Sequence, residues 1–121
     1  MKDTYRTGLS GESEAERFLR EEKHMACLER RYRTKHAEID LIMLDGETVV
    51  FVEVKARTRG VPGSGLLAIT QTKQKKITQA AVIYLMQHRQ MHRPVRFDAV
   101  EIVDGKLAYI RNAFQPGGMF Y

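Results

Sequence analysis

Three residues in one stretch of the chain have side chains that could do chemistry together. Asp40, Glu53 and Lys55 interrupt two otherwise apolar runs, "EIDLIML" and "TVVFVEVKAR". Two carboxylates can hold a divalent cation, and an ammonium beside them can stabilise developing negative charge. The same residue types also form ordinary cross-strand ion pairs on a solvated sheet, each of which contributes little. The choice depends on whether the three side chains share one face.

A hairpin is predicted between the two runs, because Asp-Gly between apolar segments is a strong turn signal. If Asp45 and Gly46 are the two turn residues, Leu44 faces Glu47. Side chains alternate between the faces of a strand, so one face of the hairpin is then wholly apolar. The predicted members of this core face are Ile39, Leu41, Met43, Val50, Val52 and Val54.

The opposite face of the hairpin carries the charged residues and, nearer the turn, apolar ones that we expect a helix to cover. In this register Asp40 is diagonal to Glu53, with alpha carbons about 7–8 Å apart, and Glu38 lies opposite Glu53. Like charges that face each other destabilise a bare sheet, and a divalent cation would turn that cost into a binding site. The hairpin alone leaves both interpretations open, a metal site and a solvated face of ion pairs.

Helical periodicity and capping signals predict the first element that must support the hairpin. Residues 10–23 are predicted as a helix, capped by Ser10 or Ser13, with Glu16 completing a capping box. The apolar run "MACL" at 25–28 is predicted as a short strand that leads into the basic segment "ERRYRTKH".

The second half of the chain is predicted to add one helix and another hairpin. Residues 70–90 show an apolar stripe at helical spacing, and Pro94 ends this segment. Asp104-Gly105 predicts a turn between "RFDAVEIV" and "KLAYI". The element order α-β-β-β-α-β-β predicts one α/β domain spanning residues 1–121, with a loop at "TRGVPGSGL" and a loose tail from about residue 115.

Charge and composition narrow the classes of partner. The chain has 20 basic and 15 acidic residues among 121, a formal net charge of +5 that favours polyanionic partners. Its single cysteine, Cys27, cannot form an internal disulfide and fits a reducing compartment. No apolar run opens the sequence, which predicts neither a signal peptide nor a membrane span and favours a cytoplasmic location.

Four segments together resemble the YraN-like family of uncharacterised bacterial proteins. They are "GESEAERFL", "AEIDLIMLDGETVVFVEVKAR", the lysine-rich second helix with Lys73, and "RFDAV". This resemblance extends from about Gly8 to Phe114. The family is placed among the PD-(D/E)XK, or restriction-endonuclease-like, nucleases, whose core is a mixed β-sheet flanked by helices. The resemblance therefore implies that fold and a metal-dependent nuclease that hydrolyses DNA phosphodiester bonds, on branched or damaged DNA.

The resemblance also assigns roles to individual residues. Asp40 matches the motif aspartate, and Glu53 and Lys55 match the E-x-K half. Asp40 and Glu53, with the backbone carbonyl of Val54, are then expected to bind Mg²⁺ or Mn²⁺, while Lys55 orients the attacking water. Glu12 resembles the helix-borne glutamate that related resolvase-like enzymes add to the site. A glutamate in a first helical turn also favours the helix dipole, so a purely structural role for Glu12 remains open.

Two departures from the family pattern and several basic residues complete the expectations. Ala37 stands where the family commonly has glycine, and Arg31 replaces a frequent asparagine. The residues expected to contact nucleic acid are Lys73, which matches a family lysine, Arg57, Arg33 and Lys76. A solvated basic face is the alternative for each of them. Related nucleases often work as dimers, so a homodimer is one assembly that the resemblance allows. The alternative to an enzyme is a catalytically silent nucleic-acid-binding or scaffold module with the same fold.

Overall fold

Two helices and five strands form the fold in the part of the chain that the structure describes. The structure is a computed structural model, and it describes residues 4–58, 60 and 69–116, with side chains from residue 11 onward. The elements in chain order are α1 (Thr4–Glu21), β1 (Ala26–Arg33), β2 (Glu38–Asp45), β3 (Thr48–Arg57), α2 (Gln71–Gln87), β4 (Val95–Val103) and β5 (Lys106–Ile110). This mixed α/β architecture confirms the predicted element order.

The strands form one open sheet in the order β1-β2-β3-β4-β5. Strands β1, β2 and β3 pair antiparallel, β4 pairs parallel with β3, and β5 returns antiparallel to β4. A parallel neighbour requires a crossover connection, which α2 provides between β3 and β4.

Each face of the sheet has its own apolar cluster. On the α1 face the buried residues are Ala15, Leu19, Met25, Leu41, Met43, Val50, Val52, Val100 and Ile102. On the α2 face they include Ile39, Ile42, Val49, Phe51, Ile77, Ala80, Ala81, Tyr84, Leu85, Phe97 and Ala99. Strands β2 and β3 therefore bury both of their faces, which explains why their sequences read as continuous apolar runs. The predicted helical cover over Ile42, Val49 and Phe51 is α2.

Helix α1 is longer at its start than the sequence predicts. It begins at Thr4, so Ser10 and Ser13 lie inside the helix and the predicted cap is wrong. Tertiary packing overrides the weak helix propensity of this glycine- and serine-containing segment. A Cβ on Gly11 would lie only 2.7 Å from the Cβ of Ala56 on β3. The glycine thus allows the helix backbone to approach the sheet closely.

Strand β1 also exceeds its predicted length, because the basic segment belongs to the strand. Its basic side chains are anchored on acidic ones from the neighbouring elements. The guanidinium of Arg30 donates two hydrogen bonds, of 2.6 and 2.7 Å, to the carboxylate of Glu16 on α1. This hydrogen bonding lowers the pKa of Glu16, which therefore serves as a buried ion-pair partner and not as a capping residue.

The first hairpin turns one residue later than predicted. Asp45 pairs with Thr48, so Gly46 and Glu47 are the turn residues and the predicted facing of Leu44 with Glu47 is wrong. Gly46 has φ = 61°, the positive value that a type II′ turn requires of its first central residue. In the second hairpin Val103 pairs with Lys106, which confirms the predicted turn.

Helix α2 spans Gln71–Gln87, slightly less than predicted. Residues 59 and 61–68, which include most of the predicted loop after β3, lie outside the described residues, as do residues 117–121 at the end of the predicted loose tail. Neither described helix combines the length and apolar character needed to cross a membrane.

Candidate metal centre

A gap between β2 and β3 creates the candidate site. The pairing of these strands ends at Leu41 and Val52. The next amide on β3 that would donate to β2, that of Val54, instead donates a 2.8 Å hydrogen bond to Oδ2 of Asp40. Because the hairpin turns one residue later than predicted, Asp40 is level with Glu53 and not diagonal to it. The two carboxyl groups are therefore closer than the sequence suggests.

A break in side-chain alternation brings Asp40 to the α1 side of this gap. Arg31, on β1 between the residues that pair with Leu41 and Ile39, has φ = 52°, a left-handed conformation that non-glycine residues rarely adopt. Leu41 packs on the α1 face, whereas Ile39 packs on the α2 face, so Ile39 is not in the predicted core face.

Four carboxyl groups meet at the gap, and we call them the acidic cluster: Glu12, Glu38, Asp40 and Glu53. Carboxylate oxygens of the first three lie within 4.8 Å of one another. Asp40 also forms a hydrogen bond with the carboxyl group of Glu53, which is only 8% exposed. Asp40 is therefore the centre of the cluster, with Glu12 and Glu38 on one side and Glu53 on the other.

The environment of Asp40 opposes its ionisation. Burial, the hydrogen bond with Glu53 and the charge of Glu53 raise the pKa of Asp40 to about 9, and only the Val54 amide acts in the opposite direction to these effects. A bound cation would stabilise the ionised carboxylate, so this acid would release its proton to solvent as the cation binds.

Three members of the acidic cluster are paired with basic side chains. Arg31 donates a 2.9 Å hydrogen bond to Glu12, and Arg33 donates one of 2.8 Å to Glu38. The ammonium of Lys73, in the first turn of α2, forms an ion pair with Glu53. Asp40 is the member without a basic partner among the residues that the structure describes.

Lys55 lies one strand period beyond Glu53 on β3, so the two side chains share a face. Its nearest neighbour in the parallel strand register is Glu101 on β4. Glu101 is bonded to Arg57 at 3.0 Å, and Lys55 has no ion-pair partner among the residues that the structure describes. The structure thus brings Asp40, Glu53 and Glu12 together and places Lys55 two residues after Glu53 on β3.

The remaining predicted nucleic-acid contacts are arranged around this end of the sheet. Lys76 is exposed, one helical turn after Lys73. The guanidinium of Arg57 is held by the fully buried Glu101, a residue that the sequence did not single out. Nothing in the alternation of β4 distinguishes Glu101 from an apolar core residue except its charge.

Asp98 is a second buried acid that the sequence did not single out, and it lies away from the acidic cluster. It is 1% exposed and accepts hydrogen bonds from Arg96, from the hydroxyl of Tyr109 at 2.6 Å and from the amide of Asn112. Arg96 lies two residues earlier on the same strand face, which is the one sequence signal that could have indicated the pair. Fully satisfied in this way, Asp98 is a structural acid and not a metal-site candidate.

The donor set of the acidic cluster fits a hard divalent cation. Mg²⁺ and Mn²⁺ prefer oxygen ligands, and Mg²⁺ often uses only one or two carboxylates and retains several waters. Asp40 and Glu53 supply carboxyl groups on opposite sides of the gap. The gap also exposes the backbone of Val54, whose amide already points at Asp40. The described fold and site thus define an open-sheet α/β protein with a carboxylate site between two diverging strands.

Comparison with known proteins gives the family. The chain belongs to the uncharacterised protein family UPF0102, whose model matches residues 11–102, and the predicted YraN-like membership is confirmed. A UPF0102 protein of Nitrosomonas eutropha is 42% identical over 118 residues, covering 97% of this chain and all of the relative. A UPF0102 protein of Desulfosudis oleivorans is 47% identical over 110 residues, covering 88% of each chain. One from Geobacter metallireducens is 40% identical over 112 residues, covering 89% of this chain and 91% of the relative.

Proposed function

We propose that this protein is a metal-dependent nuclease of the PD-(D/E)XK type that hydrolyses DNA phosphodiester bonds. The observation that carries the proposal is the meeting of carboxyl groups in the gap: oxygens of Glu12, Glu38 and Asp40 lie within 4.8 Å of one another, and the buried Glu53 lies against Asp40. Gathering these acids costs stability, and a bound cation would offset that cost. The element order and the positions of the motif residues on β2 and β3 agree with the fold that the resemblance implies.

Asp40, Glu53 and the Val54 carbonyl would hold the Mg²⁺ or Mn²⁺ ion. In an antiparallel strand the N–H and C=O of one residue point to the same neighbouring strand, so this carbonyl opens to the same gap as the Val54 amide. The bound cation would lower the pKa of a water ligand and polarise the scissile phosphate.

The other residues of the site orient water, neutralise charge on the phosphate and bind the DNA backbone. Lys55 shares the face of Glu53 and has no described acidic partner, so its ammonium can orient the attacking water and offset charge on the phosphate. Glu12 lies within 4.8 Å of Asp40 through the close packing of α1 at Gly11, and it orders water at the edge of the site. Lys76, Arg33 and Arg57 lie around this end of the sheet and bind the DNA backbone.

The test of the enzymatic proposal is cleavage of branched, single-stranded and duplex DNA with Mg²⁺ or Mn²⁺. We expect Asp40→Asn and Lys55→Ala to lower the cleavage rate by about 10²–10³-fold, as removal of groups that stabilise transition-state charge typically does. Asp104→Asn is the matched control, because Asp104 is exposed in a turn and its φ of 50° suits asparagine. Cleavage that persists in Asp40→Asn would refute the proposal.

A silent nucleic-acid-binding module is the second candidate, and one observation favours it. Glu12, Glu38 and Glu53 are already neutralised by basic side chains, so the fold partly balances its acidic cluster without a cation. Calorimetry with Mn²⁺ separates the two functions. A nuclease binds Mn²⁺ and loses this binding in Asp40→Asn, whereas a silent module binds DNA with no response to the metal.

A further inference from the structure

The ion pair between Lys73 and Glu53 couples the second helix to the candidate metal centre. Glu53 is 8% exposed, whereas the side chain of Lys73 is 47% exposed and reaches the site from solvent. The backbone of Lys73 is fixed, because its amide donates a 3.1 Å hydrogen bond to the Thr70 hydroxyl that caps α2. The ammonium of Lys73 therefore neutralises a carboxylate that belongs to the candidate metal centre.

We propose that Lys73 acts as an exchangeable counter-ion: it neutralises Glu53 when no metal is bound and releases its ammonium to a substrate phosphate when a divalent cation takes Glu53. This inference rests on the proposed function. It assigns Lys73 a role in positioning the substrate that depends on the metal, beyond that of a surface residue in permanent contact with DNA.

The chemistry of the pair suits exchange. A lysine ammonium is a compact point charge on a flexible stem, so it leaves a carboxylate without breaking a fixed bidentate geometry. The neighbouring Arg57–Glu101 pair is the contrasting case. There the guanidinium contacts the carboxylate through two nitrogens at 3.0 Å, and Glu101 is fully buried. Withdrawal of Arg57 would weaken the stabilisation of a fully buried charge, so we expect this pair to stay formed.

The exchange predicts coupling between metal and DNA. A cation at Glu53 frees one positive charge at the first turn of α2, so metal binding should strengthen DNA binding. By linkage, DNA should strengthen metal binding by the same factor. Both effects should depend on Lys73 and not on the other lysines of the helix.

The first experiment measures Mn²⁺ affinity by calorimetry in the full chain, with Lys73→Gln and Lys75→Gln. Lys75 is exposed two residues further along α2, so the control removes the same charge from a different side of the helix. Lys73→Gln should bind Mn²⁺ about fivefold more tightly, the ratio that corresponds to ~1 kcal/mol for a half-exposed ion pair. Lys75→Gln should change the Mn²⁺ affinity by less than about twofold.

The second experiment measures binding of a fluorescent DNA duplex by anisotropy, with and without Ca²⁺, a cation that takes the same oxygen ligands. Ca²⁺ should strengthen DNA binding by the wild type, and Lys73→Gln should lose about fivefold of that gain. Lys75→Gln should weaken DNA binding equally in both conditions.

The outcomes separate this inference from the proposed function. If the wild type binds Mn²⁺ and Lys73→Gln binds it equally or less tightly, the exchange is refuted while the metal site stands. An equal response of Lys73→Gln and the wild type to Ca²⁺ in DNA binding also refutes it. If the wild type binds no divalent cation, both the exchange and the proposed nuclease are refuted.

Discussion

Replacing Asp40 by asparagine should stabilise the metal-free protein near neutral pH, although Asp40 is central to the proposed site. Asparagine resembles the protonated acid: its side-chain oxygen can accept from the Val54 amide and its nitrogen can donate to Glu53. These are the contacts that the protonated carboxyl group makes in the fold. The substitution removes the ionisation that the unfolded chain gains and the folded chain resists.

The direction of the pH dependence follows from the two pKa values of Asp40. The group has an ordinary pKa of 3.8 when unfolded and about 9 in the fold. Below pH 3.8 both states hold the proton, and Asp40 costs nothing. As the pH rises from there toward 9, only the unfolded chain releases the proton, so the stability falls and becomes level above pH 9.

The expected change in stability is moderate. Each pH unit in this window lowers the free energy of unfolding by up to ~1.4 kcal/mol, and solvent that reaches the partly exposed carboxyl group reduces that figure. We expect Asp40→Asn to raise the free energy of unfolding by about 2 kcal/mol near pH 7.5, which corresponds to a rise in Tm of about 6 °C. Near pH 4.5 the rise should be smaller than about 2 °C.

Thermal unfolding in the presence of a chelator measures this effect, with Asp104→Asn as the control. The control removes one carboxylate from an exposed turn and should shift Tm by less than about 2 °C at both pH values. If Asp40→Asn lowers Tm near pH 7.5, or raises it equally at the two pH values, the fold does not raise the pKa of Asp40 and this reasoning is refuted.

Three further predictions follow from the same structure. Gly11→Ala should destabilise the fold by about 2 kcal/mol in urea unfolding, because the added methyl group would lie 2.7 Å from the Cβ of Ala56. A change in the free energy of unfolding smaller than about 0.5 kcal/mol would contradict that packing. Asp98→Asn should cost about 3 kcal/mol, since it leaves the charge of Arg96 without its buried partner, and an unchanged urea midpoint would refute this role. Mn²⁺ binding near pH 7.5 should release about one proton from Asp40, which calorimetry in buffers of different ionisation enthalpy detects, and an enthalpy independent of the buffer would contradict it.

The element order could be predicted from the sequence because the signals that begin and end the helices and strands are local. Two Asp-Gly turns, Pro94 and a helical stripe each act within a few residues, and these signals survive in the fold. The position of the first turn was wrong because Asp-Gly supports two geometries. A type I′ turn places Asp45 and Gly46 at its centre, whereas the observed turn places Gly46 first, with φ = 61°. Local sequence did not distinguish them.

The sequence indicates which residues could form the candidate site, but it does not indicate how the backbone brings them together. The residue types of Asp40, Glu53 and Lys55 are visible in the sequence, and their shared end of the sheet follows from strand periodicity. The loss of alternation at Arg31 is not visible, because it depends on a backbone conformation that the residue type disfavours. The start of α1 was also hidden, since the close contact at Gly11 joins residues far apart in the chain.

The irregularity at Arg31 links these observations into one account of why the acidic cluster exists. A regular β1–β2 ladder would continue the alternation beyond Leu41 and turn Asp40 away from α1, out of reach of Glu12. The left-handed residue at the position opposite Asp40 breaks the alternation of side chains without changing the register, and Asp40 accepts the hydrogen bond of the Val54 amide that would otherwise pair with the backbone of β2. A left-handed residue inside a strand, unlike Asp104 in its turn, is strained at a cost of about 1–3 kcal/mol. In the part of the chain that the structure describes, this cost falls where the four carboxyl groups of the acidic cluster meet, which is where a bound cation would offset it.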